Sequence, residues 1–173
     1  MASQPSRNQA LRFIVLAAAI GCVAYTALYF PYPPGSLPVR VLTWYLRLVA
    51  RAAAAGASLF DHSAVALGDV VQGSYSVKIV LDCAALDAHA LYGAAVLAFP
   101  ARWSARAWGL LLGTALLAVV NVGRIVLLYV AGIRWPAAFH VLHEEILQLA
   151  IVLAAFFAFL AWILWVQRTS RSP

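Results

Sequence analysis

Four long apolar stretches, set apart by polar or proline-rich breaks, organise this chain of 173 residues. Residues 13–30 carry no charge; a polar segment with Arg7 and Arg12 precedes them, and Pro31-Tyr32-Pro33-Pro34-Gly35 stops the run. Eighteen uncharged residues exceed the roughly 7–15 of a signal-peptide core, so the pattern predicts an uncleaved first span. Residues 83–100 form a second stretch, interrupted near its start by Asp87 and His89. Residues 107–130 form a third, broken only by Asn121 and Arg124, and residues 146–166 a fourth. At about 1.5 Å per residue, the 21 residues of the last stretch cover the roughly 30 Å hydrocarbon layer.

The intervening segments follow other periods. In residues 39–60, Arg40, Arg47 and Arg51 fall on one helical face, while Leu42, Tyr45, Leu46 and Val49 populate the others. This predicts an interfacial helix whose basic side chains snorkel outward; a spanning helix with inward-facing arginines is the alternative. Between residues 61 and 82, Val70-Val71, Gln72-Gly73 and the segment 74–81 read as a short hairpin. The strand-like run ends at Asp82 and Cys83 opens the next apolar helix. Residues 131–145 read as a polar connection holding Arg134, Pro136, His140, His143, Glu144 and Glu145.

The chain is 65% hydrophobic and only 10% charged, against about 25% charged residues in a soluble domain. The expected fold is therefore all-α: one polytopic membrane bundle over residues 1–173, with about four transmembrane helices, an outer interfacial helix and a small extracytoplasmic hairpin. The net charge of +6 does not point to nucleic acid, because the arginines sit at the ends of apolar runs. With four spans, and leaving aside the interfacial Arg40, Arg47 and Arg51, Arg7, Arg12, Arg102, Arg106, Arg168 and Arg171 share one side, and Lys78 and Arg134 lie in loops on the other. The positive-inside rule then puts both termini in the cytoplasm of a cell (inner) membrane protein. A spanning 39–60 helix would split these residues four against four and give no bias. Cys22 lies inside an apolar run, so no disulfide with Cys83 is expected.

In this topology the unusual polar residues gather at the outer membrane face. A mid-helix arginine costs about 2.5–3.5 kcal/mol to insert, so Arg124 is expected to face a cavity or a partner. Snorkelling to the headgroups, or a structural pair with Asp87, is the alternative. Asn121, one turn deeper on the same face, is placed to orient it. A cysteine at a helix mouth beside a cation is favoured as thiolate, the nucleophilic form, although a buried cysteine is often only a small apolar residue. His140 and His143 offer a base for neutral pH, or are interfacial histidines of a polar loop. The zincin pattern His-Glu-x-x-His fails, since Leu147 stands at its last position. A looser metal site from Asp87, His89, His140 and His143 stays open, but no metal and no cofactor is expected. His89, six residues beyond Cys83, points roughly opposite to it.

Three segments carry a resemblance: Asp82-Cys83-Ala84-Ala85-Leu86, Asn121-Val122-Gly123-Arg124-Ile125, and Phe139-His140-Val141-Leu142-His143 running on to Gln148. In this order, on outer helix ends, they are similar to the exosortase/archaeosortase family of membrane-embedded cysteine transpeptidase-like proteins. The resemblance covers residues 76–165. It implies Cys83 as nucleophile, Arg124 as the arginine of the Asn-x-x-Arg motif and His143, rather than His140, as the histidine, because Gln148 follows it by five positions. Two departures stand out: Ala85 occupies a position where the family usually carries glycine, and many members have more than four spans. The implied function is a cysteine peptidase or transpeptidase acting on membrane proteins with a C-terminal hydrophobic sorting tail, working alone in the bilayer or with a partner membrane subunit. A non-enzymatic scaffold or assembly subunit of envelope export, and a small transporter using Arg124 and Asp87, are the alternatives.

Overall fold

A computed structural model describes residues 7–169, the side chains of Ala138, His140 and Glu144 excepted. Helix α1 (Arg7–Tyr29) ends just before Pro31, as the steric demand of a proline on its predecessor requires. Helix α2 (Leu37–Ala57) starts with Pro38 in its first turn, where no backbone N–H is needed. Its buried face, Val49, Ala50, Ala53, Ala54 and Ala57, packs on α4, while Arg40, Arg47, Arg51 and Trp44 are exposed. Helices α3 (Leu86–Ala98), α4 (Trp103–Arg134) and α5 (Leu147–Thr169) complete the bundle. The long α4 is central: α2, α3 and α5 all pack against it, and α1 lies outermost on α3.

By length and composition, α1, α4 and α5 are able to cross a membrane. The expected second span over 83–100 is shorter than anticipated. Its helix has 13 residues, about 20 Å of rise, because residues 81–85 are spent on a tight turn and Phe99-Pro100 closes the other end. The expected polar connection over 131–145 is mostly helical instead. Helix α4 runs on to Arg134, Pro136–Ala138 forms a 3-10 turn, and a helical turn (Phe139–Val141) leads into a π-helical segment, Leu142–Ile146.

In place of a two-stranded hairpin, residues 65–78 form a three-stranded antiparallel meander, β1 (Val65–Leu67), β2 (Val70–Gln72) and β3 (Ser76–Lys78). The added strand pairs Ala66 with Val71, which pairs on its other side with Val77. Val71 and Val77 are buried, so the sheet turns one apolar face onto the helices. Asp61 fastens it. Its carboxylate accepts from the Tyr129 hydroxyl at 2.5 Å, the Ser74 amide at 2.9 Å and the Ser63 hydroxyl at 2.7 Å. Tyr129 foremost, then Ser63 and Ser74, hold the Asp61 carboxyl well below the usual carboxylate range.

Two buried clusters result. One joins α2, the sheet and the second half of α4, and includes Ile79, Cys83, Ile125 and Tyr129. The other joins α3, α4 and α5 around Tyr92, Leu117, Ile151 and Trp162. Cys83 belongs to the first and Ala85 to the second, so the turn carrying the cysteine lies where the two meet.

Candidate active site

The cysteine stands on a 3-10 turn, Leu81–Ala84, rather than at the mouth of an α-helix. The amides of Cys83 and Ala84 are both bonded to the Val80 carbonyl, so neither is free to favour a thiolate as a helix N-terminus would. Ala85 then reverses the chain into α3 at φ +53°, the left-handed region, and is the one non-glycine residue with positive φ among those described. An L-residue there costs about 1–2 kcal/mol. Ala85 is also 4% exposed, so its methyl group is buried. The two effects oppose one another for glycine, and both oppose a β-branched residue. Ala85→Gly is expected to accumulate within about twofold of the parent chain. Ala85→Val is expected to lose folded protein, as read by detergent-solubilised yield and thermal unfolding; equal yields would show that the turn is not under this constraint.

Asn121, 1% exposed, donates from Nδ2 to the Cys83 carbonyl oxygen at 3.0 Å. It thus holds the cysteine turn, and does not orient Arg124 as expected. On the opposite side of that turn, the Tyr45 hydroxyl of α2 approaches the Ala84 carbonyl at 3.5 Å. Tyr29, at the end of α1, reaches Asp82 Oδ1 and Asp87 Oδ2, each at 3.1 Å. Its single proton serves one carboxylate at a time. Sequence reasoning missed both tyrosines: a tyrosine near the end of an apolar run carries no signal beyond that of an interfacial aromatic.

Arg124 is 6% exposed, which rules out snorkelling to the headgroups. Its Nη2 donates to Gln148 Oε1 at 2.9 Å, whereas Nε and Nη1 are buried with no partner among the described residues. The alternative pairing with Asp87 is absent among the described residues, because Asp87 is turned to Tyr29. Arg124 and Cys83 are close enough to interact electrostatically. Unpartnered buried donors are rare and costly, and here two belong to one guanidinium beside a buried thiol.

His143 Nε2 lies 3.5 Å from Cys83 Sγ, within reach of a sulfur hydrogen bond. Phe139 stacks on its ring at 5.9 Å with an interplanar angle of 9°, fixing the ring plane. The π-helical segment explains how His143 and Gln148 serve the same site. In a regular α-helix, residues five apart diverge by about 140°; one extra residue in the turn returns them to nearly the same face. The side chain of His140 lies outside the described residues. His89 points away, with Nδ1 2.8 Å from the Ala85 carbonyl and Nε2 3.2 Å from that of Thr114. With His89 on the Ala85 and Thr114 carbonyls, Asp87 on Tyr29 and His143 on Cys83, the described members of the looser metal set are not brought together.

A thiol, an imidazole and a guanidinium with free donors, brought from three separate segments into one buried place, are the parts of nucleophilic acyl chemistry. No curated protein and no solved structure matches the chain. A family model does, that of the transmembrane exosortases (Exosortase_EpsH), over residues 9–162, and it takes in α1 and α2 as well as the three motif segments. This is a membrane protein, and it belongs to the transmembrane exosortase family.

Proposed function

We propose that the chain is a cysteine peptidase or transpeptidase that processes proteins with a C-terminal sorting signal at the extracytoplasmic membrane face. The observation that carries this reading is the part-buried contact of Cys83 with His143 beside two donors of Arg124 that find no partner among the described residues. In the proposed reaction His143 Nε2 takes the Cys83 proton and the sulfur attacks the substrate carbonyl carbon. The carbonyl oxygen gains negative charge and is met by Nε and Nη1 of Arg124, while Gln148 holds the third nitrogen. His143 then gives the proton to the departing amine, leaving a thioester on Cys83. Water, an amine or a hydroxyl resolves that thioester. The substrate's apolar tail lies in the bilayer against the bundle, and α2 lies in the outer interface with its arginines at the headgroups.

The test is capture of the thioester. Mixed with a substrate bearing an apolar tail and a basic end, the chain is expected to gain the mass of the acyl fragment on Cys83, and hydroxylamine is expected to release it. Cleavage without any adduct, or an unchanged rate in Cys83→Ser, would remove the cysteine mechanism and favour a scaffold or transporter.

The sidedness has its own test. With four crossings, the segment 81–100 completing the second, Arg7, Arg12, Arg102, Arg106, Arg168 and Arg171 share one side, which the positive-inside rule assigns, with both termini, to the cytoplasm. A Ser74→Cys chain is expected to react with an impermeant thiol reagent added outside, and a Ser104→Cys chain is not. The reverse pattern would put Cys83 on the cytoplasmic face and sink the sorting role.

A further inference from the structure

At the end of the bundle remote from Cys83, α4 and α5 leave an apolar groove of about 390 Å³ between them. Glycines create it. A Cβ at Gly109 would collide with the Trp162 indole, and one at Gly113 with the Tyr92 ring, so both aromatic side chains lie directly on the α4 backbone. Trp162 Nε1 donates to the Ala105 carbonyl at 3.0 Å and the Tyr92 hydroxyl to that of Gly109 at 2.7 Å, which fixes these walls. Trp108 and Trp165 form the groove's rim and also line a second recess, of about 820 Å³, that continues past the helix ends.

That recess holds Arg102 and Arg106. Arg106 is held in position: its Nε donates to the Phe99 carbonyl at 3.2 Å and its guanidinium carbon lies 4.7 Å over the Trp103 ring. All six acidic residues of the chain, Asp61, Asp69, Asp82, Asp87, Glu144 and Glu145, belong to segments around the sheet and the cysteine site, so this end carries arginines with no Asp or Glu in its segments.

We propose that groove and recess together bind one anionic phospholipid, an acyl chain lying between α4 and α5 and the phosphate meeting Arg102 and Arg106. Charge selects this occupant. A sorting tail with a basic end would set like charges together with no acidic residue to separate them, and a zwitterionic lipid would gain little from two arginines. Tryptophans at the groove mouth suit the headgroup level, where amphipathic rings are enriched. Basic pockets at the ends of spanning helices favour anionic headgroups for the same reason.

Three of the six tryptophans, Trp108, Trp162 and Trp165, line the groove, so its occupancy is visible in their fluorescence. The test titrates the full chain in maltoside micelles with dibrominated phosphatidylglycerol or dibrominated phosphatidylcholine. Quenching by the anionic lipid is expected at a lipid fraction about tenfold lower than for the zwitterionic one. In the double variant Arg102→Gln with Arg106→Gln, the two midpoints are expected to converge. Ala161→Phe, which fills the groove and keeps both arginines, is expected to weaken quenching by both lipids. Equal midpoints in the parent chain, or selectivity surviving loss of both arginines, would overturn the proposal. So would displacement of bound phosphatidylglycerol by a peptide with an apolar span and a basic end, which would hand the groove to substrate.

Discussion

His143→Ala is expected to lower substrate cleavage by about 10²–10⁴-fold, the range of a positioned acid–base group, with the protein still folded in the membrane. The size of the effect follows from burial. Cys83 is 5% exposed, so no bulk water stands ready to take its proton, and the imidazole 3.5 Å away is the base in contact with it. His140→Ala is expected to retain a substantial fraction of activity. Deleting Glu145 is a sharper test, because it removes the extra residue of the π-helical segment while leaving His143 in the sequence. Without that residue a regular helix keeps His143 within about 40° of Gln148, on the same face, and cleavage is expected to be retained in substantial part. Equal losses in the two histidine variants, or a loss in the deletion as deep as in His143→Ala, would show that the histidine or the local helix geometry has been assigned wrongly. Cleavage is followed by the shift in size of a tailed substrate, beside membrane abundance of each variant.

Arg124→Lys is expected to insert normally, to accumulate near parental levels and to process substrate at least about tenfold more slowly. Lysine keeps the charge. What it loses is the planar fork, in which one nitrogen is tied to Gln148 while two others stand ready for an oxygen. Loss of one oxyanion donor typically costs about 10²–10³-fold in rate, or roughly 2.7–4 kcal/mol. Arg124→Leu is expected to be well inserted, since it removes an insertion cost, and nearly inactive. Among the described residues it strips only a single hydrogen bond, that to Gln148, and breaks no buried ion pair. Near-parental processing by the lysine variant would reject the forked role. Loss of abundance in the leucine variant would make the arginine a structural element of the bundle instead.

Much of this organisation is legible along the chain because the bilayer imposes simple rules. Apolar runs must become helices, and the starts and stops of α1 and α5 fall close to the polar and proline signals that flank them. The amphipathic face of α2 is also written in its residue spacing, with the three arginines exposed opposite a buried alanine face. Where the pattern misled, backbone geometry intervened. The apolar run after Asp82 looks continuous, but Ala85 takes a left-handed conformation that no periodicity reveals, and the helix beyond it has 13 residues, fewer than the run suggests. The extra strand β1 escaped because three residues are too few to show alternation.

The sequence by itself settled that this is a membrane helix protein with a cysteine, an asparagine, an arginine and a histidine set into its apolar segments, since charge and hydropathy are properties of single residues and their spacing. The tertiary structure decided the partnerships. Asn121 holds the cysteine turn instead of the arginine, Asp87 answers to Tyr29, and Gln148 takes only one of the Arg124 nitrogens. Such choices depend on side-chain directions across helices that are distant in the chain, and on one π-helical turn that changes the face His143 presents. One-dimensional spacing, which assumes a regular helix, does not contain that information.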